Sequence, residues 1–511
     1  MAGGTAAGTV KERTLFGHPI GLSYLFTTEM WERFSYYGMR ALLILTLANY
    51  LLLQPTADSV IGYQALKHLF EIVYNGGEPL GPYPLASLVY GNYTSFVYLT
   101  PLIGGVIADR WLGQRNSVIV GAAIMAIGEF TLMSPHLFFL GLLFLIIGNG
   151  FFKPNISTQV GTLYKPGDSR IDRAFSIFYV GINVGAFFSP LICGSLGEAY
   201  GYHWGYFAAG VGMIIGLVSY LFALQTLPQD RVARLTGRSG FEKWLKPENW
   251  KPLFKPETWK RRFAIEMPPV DGTHSTPVKK IKTPMTKQEW KAVIALFLLF
   301  IPGCLFWAAY EQQGNTISLF AQDFTDRRLI PGLINWQIPV TWFQAFNPGM
   351  IVGFTPLVVG LWAWQAKRKT EPSVLTKMAL GNFMMGISYL FLIAALYFTG
   401  HGQVSWLWLF LFFAMITMGE LYFSPIGLAL PARVAPPQIV SMMMGVWLMT
   451  SFVGNNLQGY IGSYFTRMDK MSFFLLCAAI GGFAGIVFWL FNAPLKSILE
   501  ARTNETKPAG G

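Results

Sequence analysis

Glu29, Glu32 and Arg33 sit inside the first long apolar segment of the chain. That segment opens His18-Pro19-Ile20-Gly21-Leu22 and runs on through Phe34, Tyr37, Leu42, Leu43 and Leu47. Offsets of three and four residues from Glu29 put the three ionisable groups on one helical face. A charge near a bilayer centre costs roughly 2.5–3.5 kcal/mol on insertion scales, so such residues face a bundle interior or a wet cavity. Three of them, of mixed sign, point to a coupling-ion or substrate site. A Glu–Arg pair that only locks its own helix is the competing reading and the less favoured one.

The elements that must hold these groups are membrane-spanning helices. Hydrophobic residues make up 53% of the chain, aromatics 16% and charged residues 13%, whereas soluble domains carry about a quarter charged residues. Twelve apolar runs are long enough to span at about 20 residues each. They lie roughly at 20–50, 84–108, 117–134, 138–160, 174–197, 204–227, 291–321, 338–365, 374–398, 404–430, 438–464 and 472–495. The first is too long, and too charged at its centre, for a cleaved signal peptide. The expectation is an all-α membrane protein of twelve transmembrane helices in two six-helix bundles.

Basic residues set the orientation. Arg110 and Arg115, then Lys165, Arg170 and Arg173, then Lys367, Arg368 and Lys369 crowd the loops after even-numbered spans. The positive-inside rule makes these loops cytoplasmic, with both termini inside. The net charge of +12 is then a topological signal and no nucleic-acid footprint. The connection 229–290 carries fourteen Lys/Arg against seven Asp/Glu and holds no run long enough to cross. It reads as a solvated basic linker between an N-terminal bundle, 1–228, and a C-terminal bundle, 291–511. Trp244, Trp250 and Trp259 with their lysines suit short interfacial helices within it. Cys193, Cys304 and Cys477 all fall in apolar spans, an odd set with no disulfide framework and no metal spacing. No Walker loop and no His-Glu-x-x-His motif encodes nucleotide or zinc chemistry.

Other charges match in depth between the halves. Lys153 in span four and Glu420 in span ten each lie about 15 residues, or ~22 Å of helix, from an outer entry. Arg40 in span one and Glu311 in span seven lie about 20 residues from an inner entry. Each couple joins a cation in one half to a carboxylate in the other, the kind of partner a buried charge needs. Pairing of each charge within its own half remains the alternative.

Several motifs coincide in order. Gly104-Gly105-Val106-Ile107-Ala108-Asp109-Arg110-Trp111-Leu112-Gly113-Gln114-Arg115 resembles the loop-2/3 motif of the major facilitator superfamily, with Asp109 and Arg110 in conformational control. Glu29-Met30-Trp31-Glu32-Arg33-Phe34 resembles the ExxER(F) signature of the proton-dependent oligopeptide transporter (POT/PTR) family. Phe178-Tyr179-Val180-Gly181-Ile182-Asn183-Val184-Gly185 resembles its FYxxINxG signature. Gly150-Phe151-Phe152-Lys153-Pro154-Asn155 and Gly419-Glu420-Leu421-Tyr422-Phe423-Ser424-Pro425 resemble two further segments. The likeness covers essentially the whole transmembrane region. Two departures stand out: two extra helices carried by many bacterial members are absent, and the connection at about 51–83 is long.

The resemblance implies a major facilitator fold and proton-coupled symport of di- and tripeptides by alternating access, in a bacterial inner (plasma) membrane. It implies Arg40–Glu311 as an outer gate and Lys153–Glu420 as an inner one. A zwitterionic peptide explains why both signs converge: Arg33 and Lys153 suit its carboxylate. Glu420, with Asn183 and Asn347, would take the ammonium, as the family pattern implies. Tyr36, Tyr37, Tyr93, Phe306, Trp307 and Trp447 would line side-chain pockets, and Ser424 lies in the same family segment as Glu420. Glu29, Glu32 and Glu311, with Arg33, are the proton-coupling candidates. No cofactor or metal beyond the proton is expected, and no enzymatic activity. Short peptides, peptide-like drugs, protons and the bilayer are the expected partners of a monomer. The alternatives are a same-fold carrier of nitrate or another small anion, and, further off, a nutrient-sensing receptor.

Overall fold

The computed structural model describes residues 14–165, 167–228, 285–400, 402–436 and 439–505. The connection 229–284, with the interfacial helices expected around Trp244, Trp250 and Trp259, lies outside the described residues, as do residues 1–13 and 506–511.

Among the described residues, twelve long helices carry the chain. In the first half they are α1 (Ile20–Thr46), α2 (Pro82–Ile107), α3 (Gln114–Leu132), α4 (Phe138–Thr162), α5 (Ile171–Ser189) and α6 (Tyr202–Ala223). The second half holds α7 (Lys287–Tyr310), α8 (Phe346–Lys367), α9 (Val374–Thr399), α10 (Trp406–Val434), α11 (Val440–Gly462) and α12 (Lys470–Glu505). By length and composition, nine of the described helices can cross a membrane. The other three, α1, α2 and α11, carry many of the polar groups that meet inside the bundle. A capping box of Thr286 and Glu289 starts α7, satisfying two orphan N–H groups. This helix starts at Lys287, within the stretch 229–290 read as a linker.

Short strands and a helix occupy the connections. The long 51–83 connection contains a helix, Tyr63–Asn75. Residues Arg328–Ile330 pair antiparallel with Ile334–Gln337, and Thr325–Asp326 pair parallel with Val404–Ser405. A third small pair joins Thr14–Leu15 to His18–Pro19.

The two halves repeat one packing scheme. The first helix of each lies on the fifth and sixth: α1 on α5 and α6, α7 on α11 and α12. The third lies on the fourth and sixth: α3 on α4 and α6, α9 on α10 and α12. Between halves, α2 packs on α11 and α5 on α8.

The polar bonds that join the halves concentrate at the end opposite the last turn of α6 and the first turn of α7, here the distal end. Ser87 donates to Asn315 (3.1 Å), Asn49 to Gln322 (2.7 Å), and Trp342 Nε1 to Ser195 (2.7 Å). Glu198 accepts from the backbone N–H groups of Val340 and Thr341. The helix Tyr63–Asn75 bridges the α2–α11 seam: Asn456 donates to Tyr74 (3.0 Å) and Asn92 (3.1 Å), and Arg467 donates to Asn75 (3.0 Å).

Beneath that bridge, Gly91 of α2 meets Gly459 of α11 backbone to backbone. A Cβ on Gly91 would stand 2.4 Å from the Gly459 Cα. Small residues at such a crossing let helices approach closely in lipid. Gly91→Leu therefore opens the seam, at a cost of about 1–3 kcal/mol or more. Disulfide yield between cysteines placed at Asn92 and Asn456 measures it and should fall several-fold. Undiminished yield would mean that the glycine contact does not set this closure.

Candidate functional site

The site grows from α1. Glu29, Arg33, Tyr37 and Arg40 succeed one another at three- and four-residue steps, one stripe of a helix that runs through the bundle. Arg33 forks onto its neighbour, Nε to Glu32 Oε2 at 2.5 Å and Nη2 to Oε1 at 2.6 Å. It also lies 3.5 Å from Glu29 Oε1. The guanidinium covers the Tyr36 ring, 4.8 Å from its centroid. Bidentate Arg–carboxylate geometry is the strong, directional form of an ion pair.

A cavity of about 390 Å³ opens between the halves. Arg33, Tyr37, Arg40, Lys153, Asn183 and Glu311 line it, and so do Trp307, Asn347, Glu420, Ser424 and Trp447. Its distal limit is the Arg40–Glu311 ion pair, which crosses from α1 to the end of α7. Arg40 Nε also donates to Tyr90 Oη at 2.7 Å. The chain makes room for this by breaking α7: Glu311–Gly314 form a 3-10 turn before a new helix starts at Thr316. Gly314 is required there, since a Cβ would come 2.1 Å from Tyr90 Oη. This pair joins the two halves as their matched depths suggest.

Lys153 and Glu420 do not pair in this structure. Lys153 binds Glu29 Oε1, within its own half. Glu420 instead accepts from Tyr310 Oη (2.5 Å) and Asn347 Nδ2 (2.9 Å), both on Oε2. The physical reason is proximity. α1 carries a carboxylate into reach of α4, whereas α10 presents Glu420 to α7 and α8. Prolines Pro154 and Pro425 each follow a lining residue by one position. They remove a helical N–H at that level and loosen the ladder.

Not every candidate reaches the cavity. Glu29 and Glu32 have no exposed surface and lie behind its wall. Tyr36 and Tyr93 are buried in the core as well. Tyr36 packs edge-on against Tyr37, centroids 5.2 Å apart, one helical position off the lining stripe. Phe306 stacks on Phe423 at 3.8 Å and on Tyr310 at 5.5 Å, filling the second half's interior. Asn183 lines the cavity but donates to Tyr179 of its own helix, not to Glu420. Asp109 and Arg110 occupy the π-turn Ala108–Leu112 that ends α2, far along the helix from the lining residues. Arg115, from the same motif, donates to the carbonyls of Leu224 and Leu227 and ties α3 to the end of α6.

Six polar lining residues escaped sequence reasoning: Tyr98, Tyr179, Tyr310, Gln313, Gln344 and Ser451. Tyr179 and Tyr310 had a usable signal, lying respectively inside the FYxxINxG segment and beside Glu311. Outside the spans, hydrogen bonds from Arg170 pull the Asp168 carboxyl down to about 2. The same arginine donates to the Gly17 carbonyl at 2.8 Å and pins the α4–α5 loop to the segment just before α1.

The family model described as the POT family matches residues 115–477. The chain belongs to the POT family. As a member it shares 32% identity with the peptide transporter YePEPT of Yersinia enterocolitica, over 97% of this chain and 98% of that protein. A di-/tripeptide transporter of Lactococcus lactis is also 32% identical, covering 96% of this chain and 98% of its own length. A crystallised POT peptide transporter variant in complex with alafosfalin superposes with a TM-score of 0.75 at 28% identity, covering 96% and 98%. With the family comes the major facilitator arrangement of two six-helix bundles, and a class of multi-spanning transporters.

One expectation concerns the distal pair of this POT-family chain. Exchanging the charges, Arg40→Glu with Glu311→Arg, should restore more distal closure than either single change retains. Each single change leaves a desolvated charge facing a like charge or nothing, typically costing about 3–5 kcal/mol. Spin-label distances between the distal ends of α1 and α7 report closure. A double variant no more closed than the worse single one would show that the two residues act separately.

Proposed function

We propose that this chain imports di- and tripeptides together with protons, its two halves giving alternating access to the cavity. The observation that carries the reading is the charge layout of the cavity. Arg33 and Lys153 supply positive charge on the first half, and Glu420, oriented by Tyr310 and Asn347, supplies negative charge on the second. A peptide presents an ammonium and a carboxylate about 5–10 Å apart, so both termini find an opposite charge. Side chains vary between peptides while termini do not, which predicts broad selectivity that extends to peptide-like drugs.

Proton coupling follows from competition for the cations. Glu29 holds Lys153 and approaches Arg33, while Glu32 holds Arg33 from two sides. A proton on either carboxylate neutralises one partner and frees a cation for the peptide carboxylate. Because proton and peptide then bind the same arrangement, each favours the other. At the distal end, Arg40–Glu311 acts as a gate whose carboxylate is open to the same control. Lys153–Glu420 acts as the opposite gate only once Lys153 leaves Glu29. The reading includes no cofactor and no enzymatic step. It places a monomer in a bacterial inner membrane with both termini cytoplasmic, consistent with the Lys/Arg bias of the loops.

The test is transport by the purified protein in liposomes under an inward acidic gradient, followed with labelled dialanine. The reading requires accumulation above the uncoupled control. No accumulation across a panel of short peptides would overturn it, and accumulation of nitrate instead would establish an anion carrier on the same fold.

A further inference from the structure

Among the described residues, one fully buried carboxylate of the first half belongs neither to the cavity nor to an ion pair. Glu129, on α3, has no exposed surface. Its Oε1 accepts a hydrogen bond from Ser35 Oγ at 3.0 Å, and its Oε2 has no hydrogen-bond partner among the described residues. The cations of this interior are engaged elsewhere: Arg33 with Glu29 and Glu32, Lys153 with Glu29, Arg40 with Glu311.

Among the described residues, the surroundings supply no compensating charge. The ionisable groups around Glu129 are Glu32 from α1, Tyr93 from α2, Tyr206 from α6 and Cys193 from the turn after α5. From α4, leucine and backbone pack against this stretch, Gly128 meeting Leu145 and the Gly141 carbonyl. From α6, Gly210 leaves room beside the Glu129 Cβ. An ionised carboxylate here is costly, because a single hydroxyl does not replace water. If accepting from Ser35 were its whole task, a glutamine would accept the same bond without the cost of ever ionising.

Position supplies the second part of the argument. Ser35 follows Glu32 by one helical turn, so α1 carries both the ExxER carboxylate and the donor to Glu129. A shift of α1 against α3 changes the partners of both carboxylates together. We propose that Glu129 is a second proton-binding site, built into α3 and linked through Ser35 to the Glu32 end of α1, loaded and unloaded as the first half changes shape. The inference rests on the proton-coupled reading but names a group outside the cavity and outside the motif that carries it.

Infrared difference spectroscopy of the purified full chain, titrated between about pH 5 and 9 without substrate, tests it directly. The expected result is a carboxylic-acid carbonyl band that titrates in the wild type and is absent from Glu129→Gln. Ser35→Ala, which removes only the donor, should displace the band, and it stands in if the glutamine variant fails to fold. A band that survives Glu129→Gln, or one lost from it that never titrates in the wild type, overturns the proposal. In liposomes, Glu129→Gln should lower gradient-driven accumulation at least about tenfold, about 1.4 kcal/mol, and Glu129→Asp should recover part of it. Wild-type accumulation and pH profile in Glu129→Gln would sink this inference alone. A wild type that moves no peptide would sink the transport reading and leave the infrared result to decide on Glu129.

Discussion

Glu32→Gln abolishes proton-driven accumulation of dialanine and leaves peptide counterflow measurable. Glutamine keeps the volume of the side chain and one acceptor for Arg33, so the helix and its packing persist. It cannot take up or release the proton, and as a permanently neutral partner it leaves Glu29 as the charged partner of Arg33. A pH difference of one unit carries about 1.4 kcal/mol per proton, enough for a roughly tenfold concentration ratio. That ratio collapses to the uncoupled level in the variant. Counterflow needs no net proton movement and therefore survives, though its rate changes with the freed arginine. Full gradient-driven accumulation in this variant would make Glu32 a structural partner of Arg33 and no more.

Lys153→Ala loses affinity for peptides with a free C-terminus. The lysine is a lining residue of the cavity, half-shielded and held by Glu29. Its removal takes one positive charge from the region that receives the peptide carboxylate and strips Glu29 of its nearest partner. A hydrogen bond to a charged group contributes about 1.5–3 kcal/mol, so the dissociation constant rises by about 10- to 100-fold. Dialanine amide, which has no terminal carboxylate, should lose far less. Comparing both ligands on both proteins forms a cycle that isolates the interaction. Equal weakening of the free and amidated peptides would show that Lys153 acts through Glu29 and does not contact the carboxylate.

Much of the scaffold was legible in the sequence for a local reason. A helix satisfies its backbone within one segment, and in lipid every backbone group must be satisfied, so apolar length alone announces a span. The same logic flags Glu29, Glu32, Arg33, Arg40, Lys153, Glu311 and Glu420, because charge inside an apolar run is expensive wherever the helix finally sits. The break in α7 was less visible. The apolar run 291–321 reads as one uninterrupted span, and the turn Glu311–Gly314, with Gly314 packed against Tyr90, is visible only in the structure. The strands Thr325–Asp326 and Val404–Ser405 were invisible for a related cause, since they pair across a separation that no local pattern records.

The chain order of residues determined which groups are charged, at what depth, and on which stripe of which helix. Tertiary structure decided their partners. Depth matching identified Arg40 and Glu311, which meet, and Lys153 and Glu420, which do not, because depth fixes one coordinate and leaves rotation and lateral placement open. Successive residues point about 100° apart around a helix, so Tyr37 enters the cavity while Tyr36 packs into the core. Lateral placement depends on contacts such as Gly91 on Gly459, where two helices from opposite halves come together at the closed end. Glu129, inside the apolar run 117–134, was not singled out by the sequence, and its lack of a cation among the described residues became visible only once α1, α3 and α6 were packed around it.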